Sequence, residues 1–310
     1  TDTAQLNYFN AQTREAVINQ VSAIAPYCDG LRCDMAMLVM KDIFKTTWGK
    51  VLPEESLTQT GEFWKELIEA NPDLIYIAEA YWDTEWQLQQ QGFDFVYDKI
   101  LFDRVRSSHP REINLHLGAN TDFQSRLVRF LENHDEQRSA AAIPGFKLLP
   151  AAALCATLPG MRMFYQGQFE GCRTRVPVQL KRSYAVRTDE QIKSIYDRIL
   201  PLINLEGFHQ AEWKLKEVFD EPDYTAANLL AYLWKGDKSL LLVIVNLTGA
   251  ESEGRLSLCD DIDESLEYRW EEKIGNCVFT EQGKVMAHPG LAFKLAAYQV
   301  MIFEIIKSAY

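Results

Sequence analysis

The chain has 310 residues and a mass of 35.6 kDa, which allows one large domain or two. Hydrophobic residues make up 47% of the chain and charged residues 25%, and these globular values exclude a disordered or fibrous protein. The 32 Lys and Arg residues against 44 Asp and Glu residues give a formal net charge of −12, which argues against nucleic acid or an anionic membrane surface as the main partner. No uninterrupted apolar stretch reaches the ~18–20 residues of a membrane span, so we expect no membrane partner.

Helices and strands alternate along the first two thirds of the chain. Residues 11–25 place apolar side chains on one helical face, and Pro26 ends this predicted helix. Residues 74–78 form a near-continuous apolar run, typical of a strand that is covered on both faces of a parallel sheet. Similar patterns predict helices at 62–70, 84–91, 98–107, 146–157 and 189–204, and strands near residues 31, 95, 129 and 163. This alternation indicates βα units around a parallel sheet, and therefore an α/β fold.

The composition changes after about Gly207, where short runs typical of strands are separated by Gly, Asp and Asn. The predicted strands lie at 231–234, 240–246, 254–258, 278–279 and 297–304. Their spacing suggests an antiparallel sandwich. We therefore place a domain boundary near residue 210, between an α/β domain at 1–210 and an antiparallel β-domain at 211–310.

The cysteines lack the Cys-x-x-Cys spacing that a zinc site or a dithiol redox motif requires. The six residues are Cys28, Cys33, Cys155, Cys172, Cys259 and Cys277. We expect most of them to be buried, reduced thiols, and we expect no metal and no cofactor.

Three acids directly follow predicted parallel strands: Asp34, Glu79 and Asp135. In a (β/α) barrel the catalytic groups gather at this edge, because the βα loops all open there. One carboxylate at a strand end would mean little, but three in succession predict an active site.

Arg32 strengthens this interpretation. Side chains alternate along a strand, so Arg32 and Asp34 point to the same face, and a nearby cation would lower the pKa of Asp34, as a carboxylate nucleophile requires. Glu79 follows an apolar run, and desolvation would raise its pKa, which suits a general acid. Two carboxyl groups in opposed environments are the basic apparatus of glycoside hydrolysis. The alternative is that Arg32 and Asp34 form an ion pair that only satisfies the end of the barrel.

The motifs around these acids resemble those of the α-amylase family, glycoside hydrolase family 13. The segment 29–36 (DGLRCDMA) resembles the strand that bears the nucleophile, and 77–80 (IAEA) resembles the general acid/base segment. The segment 130–135 (FLENHD) is similar to the third-carboxylate segment, and the order and spacing of the three also fit. Members of this family usually carry a C-terminal antiparallel β-domain, so the resemblance covers essentially the whole chain.

The resemblance implies a role for each matched residue. Asp34 would be the nucleophile that forms a covalent glycosyl-enzyme intermediate, and Glu79 would be the general acid and then the base. Asp135 would stabilise the oxocarbenium-like transition state. Arg32 would orient Asp34, and His134 would hydrogen-bond the sugar at the cleavage point. Arg138 matches an Arg that some members carry just after the third motif, and it would also bind substrate.

Aromatic residues follow Glu79, where a loop should border the cleft. Sugar rings stack their apolar C–H faces on aromatic rings, so Trp82 is a candidate platform, although an aromatic cluster more often serves packing. We expect Trp86 to lie in the core. Gln168, at the end of the last predicted barrel strand, is a further candidate to border the site.

The sequence departs from the family pattern in two ways. Calcium-dependent α-amylases often have Lys-His at the third and fourth positions after the nucleophile, whereas this chain has Met37 and Leu38, which offer calcium no oxygen ligand. The first family motif, an Asp followed shortly by Asn-His, is absent. About five of the eight βα units of a barrel are present, so we expect a partial TIM barrel followed by the antiparallel sandwich. Either a missing N-terminal barrel segment or another copy of the chain would then cover the open sheet edges.

Three functions fit these observations. The first is a retaining α-glycoside hydrolase of the α-amylase type that acts on α-1,4-glucans or maltooligosaccharides. The second is a transglycosylase of the same family, in which a sugar hydroxyl replaces water in the second step. The third is an inactive glucan-binding or structural fragment, which the missing first motif favours and the intact set of three acids opposes.

Overall fold

The computed structural model describes residues 4–54, 61–180, 182, 187–209, 211–219 and 225–308. The chain divides into two compact units. Unit 1 comprises Thr1–Ile100 and Ser125–Val128, and unit 2 comprises Leu101–Gln124 and Arg129–Tyr310. Within the described ranges, no helix combines the length and the apolar character that crossing a membrane would require.

Unit 1 alternates helices with short parallel strands. The elements are α1 (Ala11–Ile24), β1 (Gly30–Cys33), α2 (Lys41–Trp48), α3 (Phe63–Ala70), β2 (Ile75–Ala78), α4 (Glu85–Gln90) and β3 (Phe95–Tyr97). The core of the unit forms because amphipathic α3 buries Phe63, Trp64 and Leu67 against the apolar side of the sheet, where Tyr76 and Ala78 are fully buried. The strand predicted at 74–78 is confirmed as β2, but the predicted cover on both faces is wrong, because Ile75 on the other face is 46% exposed.

A stretch of short elements then leads into unit 2. They are α5 (Lys99–Ser107), α6 (Pro110–Leu117), α7 (Thr121–Ser125), β4 (Leu127–Arg129), α8 (Ser139–Ala142), α9 (Gly145–Thr157), β5 (Met161–Arg162) and α10 (Glu190–Ile199). The five strands β1 to β5 form one parallel sheet in sequential order. Helix α10 ends earlier than predicted because Pro201 cannot continue it, and a separate 3-10 turn follows at Leu202–Asn204.

The C-terminal part of unit 2 is antiparallel. Its elements are β6 (Glu212–Lys216), β7 (Leu229–Lys235), β8 (Ser239–Asn246), β9 (Ser252–Leu256), β10 (Glu267–Glu272), β11 (Val278–Gln282), α11 (Gly283–Ala287), β12 (Leu291–Leu295) and β13 (Val300–Lys307). The larger sheet has the order β11-β10-β13-β8-β7-β6, and β12 pairs with β9 in a second sheet. Side chains from both sheets meet in one core around Trp270, which is completely buried. The predicted succession of a parallel α/β part and an antiparallel β part is therefore confirmed.

The hydrophobic core of unit 2 continues across the predicted domain boundary. Tyr196 of α10 packs in the same cluster as Trp213 of β6 and Tyr232 of β7. The division into a domain at 1–210 and a domain at 211–310 stays a prediction, because the compact units are divided at other positions.

Candidate active site

The ends of β1 and β2 place Asp34 and Glu79 at the same position along the two strands. Cys33 lies opposite Ala78 in the parallel register, so Asp34 and Glu79 leave the sheet side by side. The pairing continues past the strands, because the Glu79 N–H donates to the Cys33 carbonyl (3.0 Å) and the Ala36 N–H donates to the Glu79 carbonyl (2.9 Å). The backbone ladder therefore places the two acids beside each other.

Arg32 holds both acids with one guanidinium group. Its Nη1 pairs with Asp34 Oδ1, and its Nη2 lies 2.8 Å from Glu79 Oε1. The predicted proximity of Arg32 and Asp34 is confirmed, whereas the pairing with Glu79 was not foreseen. The two carboxyl groups have opposite surroundings: the side chain of Asp34 is 78% exposed and that of Glu79 only 2%.

Burial raises the pKa of Glu79 above its ordinary value. The Met35 N–H, which donates to Oε2 at 2.8 Å, and the charge of Arg32 oppose this rise, while Asp34 adds to it through a hydrogen bond and its charge. Met35 has a φ of 42°, a left-handed conformation that is uncommon for a residue with a side chain. The predicted direction of the Glu79 shift is confirmed.

Tyr97 is a site residue that sequence reasoning missed. It ends β3, it is buried, and the Arg32 guanidinium lies 5.6 Å from the centre of its ring. Burial alone would lower the pKa of Arg32, but hydrogen bonds with Tyr97 and Asp34 and the charge of Glu79 raise it overall. Arg32 is therefore permanently charged, and its guanidinium makes a cation–π contact with the Tyr97 ring.

Asp98 was also missed, although it directly follows β3 as Asp34 and Glu79 directly follow β1 and β2. Asp98 is 1% exposed, and its negative charge helps to raise the pKa of Glu85 at the start of α4. Glu85 is 3% exposed, and burial first, then the charges of Asp98 and Asp83, raise its pKa to about 7. Among the residues described, no group hydrogen-bonds Glu85 Oε1.

The loop after Glu79 presents an aromatic side chain to solvent. Trp82 is 64% exposed, and it and Asp83 have φ values of 62° and 57°, two left-handed residues in succession. Backbone strain of this kind persists where the surrounding structure imposes it, often at functional sites. Trp82 is thus accessible, as a sugar platform requires. Trp86 was expected in the core, and this is wrong: it is 51% exposed, because α4 buries the face that carries Glu85, Leu88 and Gln89 and leaves Trp86 on the other.

In unit 2, His134 and Asp135 form a second group. His134 Nε2 lies 2.9 Å from Asp135 Oδ2, and both side chains are partly exposed. Asn133 shapes the turn, since its Oδ1 accepts from the N–H groups of Asp135 and Glu136, both at 2.9 Å. The roles that the resemblance implies for His134 and Asp135 stay predictions.

Comparison with known proteins adds the fold. No family model matches the sequence, and the comparison with curated proteins gives no match either. Solved structures do match: the maltogenic α-amylase AmyB from Thermotoga neapolitana has 20% identity and a TM-score of 0.70, with 96% of this chain and 67% of that chain covered. The α-amylase from Geobacillus thermoleovorans has 15% identity and a TM-score of 0.68, with 97% and 65% covered. The trehalose-6-phosphate hydrolase from Bacillus licheniformis has 17% identity and a TM-score of 0.63, with 98% and 70% covered.

The chain has the fold of the α-amylase family. The resemblance that the three motifs indicated is therefore confirmed at the level of the fold. The chain spans about two thirds of the length of these α-amylase structures.

Two predicted residues of this α-amylase fold are less accessible than expected. Arg138 is 3% exposed and Gln168 is 1% exposed. Gln168 donates to the Tyr196 hydroxyl at 2.8 Å and accepts from the Tyr165 N–H at 3.1 Å, so it braces the loop after β5 instead of bordering an open site. The burial of Arg138 favours a role inside the protein over the predicted contact with sugar.

The position that binds calcium in many α-amylases is apolar here. Met37 is completely buried in a 3-10 turn at Ala36–Val39, next to Leu38. Over the described ranges, the structure contains no cluster of three or more His, Cys, Asp or Glu residues suited to a metal ion.

Proposed function

We propose that this protein is a retaining α-glycoside hydrolase of the α-amylase type, with Asp34 as nucleophile and Glu79 as general acid/base. One observation carries the proposal: a single guanidinium group holds an exposed and a buried carboxyl group side by side. The exposed Asp34 is accessible to substrate, and the raised pKa of Glu79 keeps a proton available for a leaving group.

The reaction has two steps. In the first, an Asp34 oxygen attacks the anomeric carbon, the glycosidic C–O bond breaks, and Glu79 gives its proton to the departing oxygen. In the second, the Glu79 carboxylate takes a proton from water, whose oxygen attacks the anomeric carbon and releases Asp34. We propose that Asp135 stabilises the oxocarbenium-like charge and that His134 hydrogen-bonds the sugar.

The separation of the acids supports retention of configuration. Retaining carboxyl pairs lie ~5–5.5 Å apart, whereas inverting pairs need ~6.5–9.5 Å to admit a water. Asp34 and Glu79 share one guanidinium group and are close enough for Asp34 to raise the Glu79 pKa through a hydrogen bond. This leaves little room for an intervening water.

The substrate class follows from the fold and from Trp82. The matched structures include a maltogenic α-amylase and an α-amylase in complex with acarbose, which supports α-1,4-glucans or maltooligosaccharides as substrates. The exposed indole of Trp82, three residues after Glu79, offers a surface for a sugar ring. Transglycosylation shares the first step, and analysis of the products formed from maltooligosaccharides would separate it from hydrolysis.

We further propose that the parallel sheet is part of a longer barrel. Strands β1 and β5 each have one neighbour in the sheet order of the described residues, and eight strands close a barrel of this type. About a third of each matched α-amylase chain is not covered by this one, which supports βα units from another segment, or else another copy, as the cover of these edges. A monomer in light scattering that cleaves maltooligosaccharides at ordinary enzyme rates, ~1–10³ s⁻¹, would contradict this proposal.

Covalent trapping tests the function without requiring fast turnover. In 5-fluoro-α-glucosyl fluoride, Asp34 displaces fluoride and remains bonded to the sugar, because the ring fluorine slows the second step. We expect mass spectrometry to find one fluoroglucosyl group on the peptide that contains Asp34, and none in Asp34→Asn. A folded wild-type protein that stays unlabelled, or is labelled elsewhere, would overturn the assignment, as would product NMR that shows the inverted anomer first.

A further inference from the structure

A buried ion pair closes the base of the loop that carries His134 and Asp135. Glu132 is completely buried, and its Oε1 lies 3.1 Å from Nη2 of Arg138. Its Oε2 accepts from the N–H and the hydroxyl of Ser139, both at 2.6 Å. The two ends of the segment 132–139 are therefore tied together by one carboxylate, and we call this arrangement the Glu132–Arg138 clasp.

The clasp has a buried base and an accessible tip. Glu132, Arg138 and Ser139 are each no more than 3% exposed, whereas the side chains of His134 and Asp135 are 33% and 45% exposed. Glu132 Oε2 accepts both hydrogen bonds from Ser139, whereas Oε1 has the ion pair with Arg138 and no hydrogen bond among the described residues. Removing either charge would leave the other one buried and unpaired. The clasp thus fixes the ends of a short loop whose accessible residues include the proposed transition-state stabiliser, Asp135, and its neighbour His134.

Arg138 also ties this loop to the one that follows β5. Its Nη2 donates to the Gln166 carbonyl at 2.7 Å, its Nε donates to the Cys172 carbonyl at 3.4 Å, and its guanidinium lies 4.6 Å from the centre of the Tyr165 ring. Gly167, with a φ of 85°, permits this approach, since a Cβ there would lie 2.7 Å from Arg138 Nη2.

We infer that Glu132 and Arg138 are positioning residues: they act through the backbone of segment 132–139 to hold Asp135 and His134 in place for the first step of the reaction. The inference rests on the function proposed above. It replaces the sugar contact that the sequence predicted for Arg138. The general physical reason is that displacing a catalytic group by about 1 Å can cost roughly 100-fold in rate, while substrate binding elsewhere is unaffected.

The test separates positioning from sugar binding. The rate of trapping by 5-fluoro-α-glucosyl fluoride at saturation (kinact) reports the chemical step, and the half-saturating concentration (KI) reports binding. Arg138→Lys keeps the charge but loses the planar guanidinium, and Glu132→Gln keeps the shape but loses the charge. In both variants we expect kinact to fall about 10–100-fold and KI to change less than about threefold. Arg162→Lys is the matched control, because that guanidinium donates to the Ala156 and Phe208 carbonyls, outside the clasp.

A second measurement follows the loop itself. The N–H groups of Asp135 and Glu136 donate to Asn133 Oδ1, and their hydrogen exchange should quicken in both clasp variants and not in the control. Thermal unfolding shows whether each variant is folded. If Arg138→Lys does not fold, the milder variant Glu132→Gln alone tests the inference.

Each outcome decides the inference. Arg138 also lines a cavity of about 500 Å3 with Tyr165 and Cys172, and a raised KI with unchanged kinact would show that Arg138 binds sugar, which overturns the inference while the proposed function stands. Unchanged exchange at residues 135 and 136 would overturn it as well. An unlabelled wild type would overturn both proposals.

Discussion

The buried acid Glu85 should make the stability of this protein depend on pH. Its pKa is raised from the ordinary value of 4.5 to about 7, first by burial and then by the charges of Asp98 and Asp83. Between these two values the folded state binds more protons than the unfolded state, so the free energy of unfolding falls as pH rises through 7. A pKa shift of this size lowers the free energy of unfolding by about 3 kcal/mol above pH 7. This loss is absent below the pKa that Glu85 has in the unfolded chain.

Glu85→Gln tests this reasoning, because the amide has nearly the same shape and cannot ionise. We expect the variant to exceed the wild type in free energy of unfolding by about 3 kcal/mol at pH 8 and by only about 1 kcal/mol at pH 5. Urea unfolding followed by tryptophan fluorescence at the two pH values measures the difference. Exposed Glu69 supplies the control, since Glu69→Gln should change the stability by less than about 0.5 kcal/mol at either pH.

An equal difference at both pH values would refute the reasoning, because the effect would then come from packing and not from ionisation. A variant that is less stable than the wild type at pH 8 would show that the Glu85 carboxylate has a stabilising partner when it is charged.

Three further predictions concern the candidate active site and calcium binding. Asp34→Asn should abolish trapping and turnover while the unfolding midpoint stays within about 3 °C, because the side chain is 78% exposed and exposed ion pairs contribute little; a large drop would assign Asp34 a structural role. Trp82→Ala should weaken maltooligosaccharide binding about 2–10-fold in calorimetry, whereas Trp48→Ala on α2 should not, and equal effects would remove Trp82 from the site. A chelator should leave the unfolding midpoint unchanged, because Met37 and Leu38 give calcium no oxygen side-chain ligand; a marked drop would reveal a bound ion elsewhere.

Local sequence patterns predicted the strands and the charged pair well, because each depends on neighbouring residues. Strand β2 follows from one apolar run, and the contact of Arg32 with Asp34 follows from the alternation of side chains along β1. Tyr97 ends β3 and Asp98 directly follows it, yet both escaped prediction, because strand periodicity does not show which side chains of neighbouring elements a residue will contact.

Burial was harder to predict than secondary structure. Trp86 and Gln168 were assigned by residue type and position, but a short helix exposes the first and two hydrogen bonds in the loop after β5 bury the second. Arg138 follows a recognisable motif, yet the motif does not show that Glu132, six residues earlier, reaches back to it. Such contacts depend on loop geometry that only the folded chain defines.

The pairing of Cys33 with Ala78 has a consequence for how this protein tolerates change. Because the strand ladder aligns the backbone of the two acids, one inserted residue in β1 or β2 would bring a different side chain level with Glu79 or Asp34 and turn one acid toward the opposite face of the sheet. Substitutions that keep the apolar character of these strands leave that alignment intact. We therefore expect homologous chains to keep Arg32 and the number of residues in each strand, while the other residues of β1 and β2 vary.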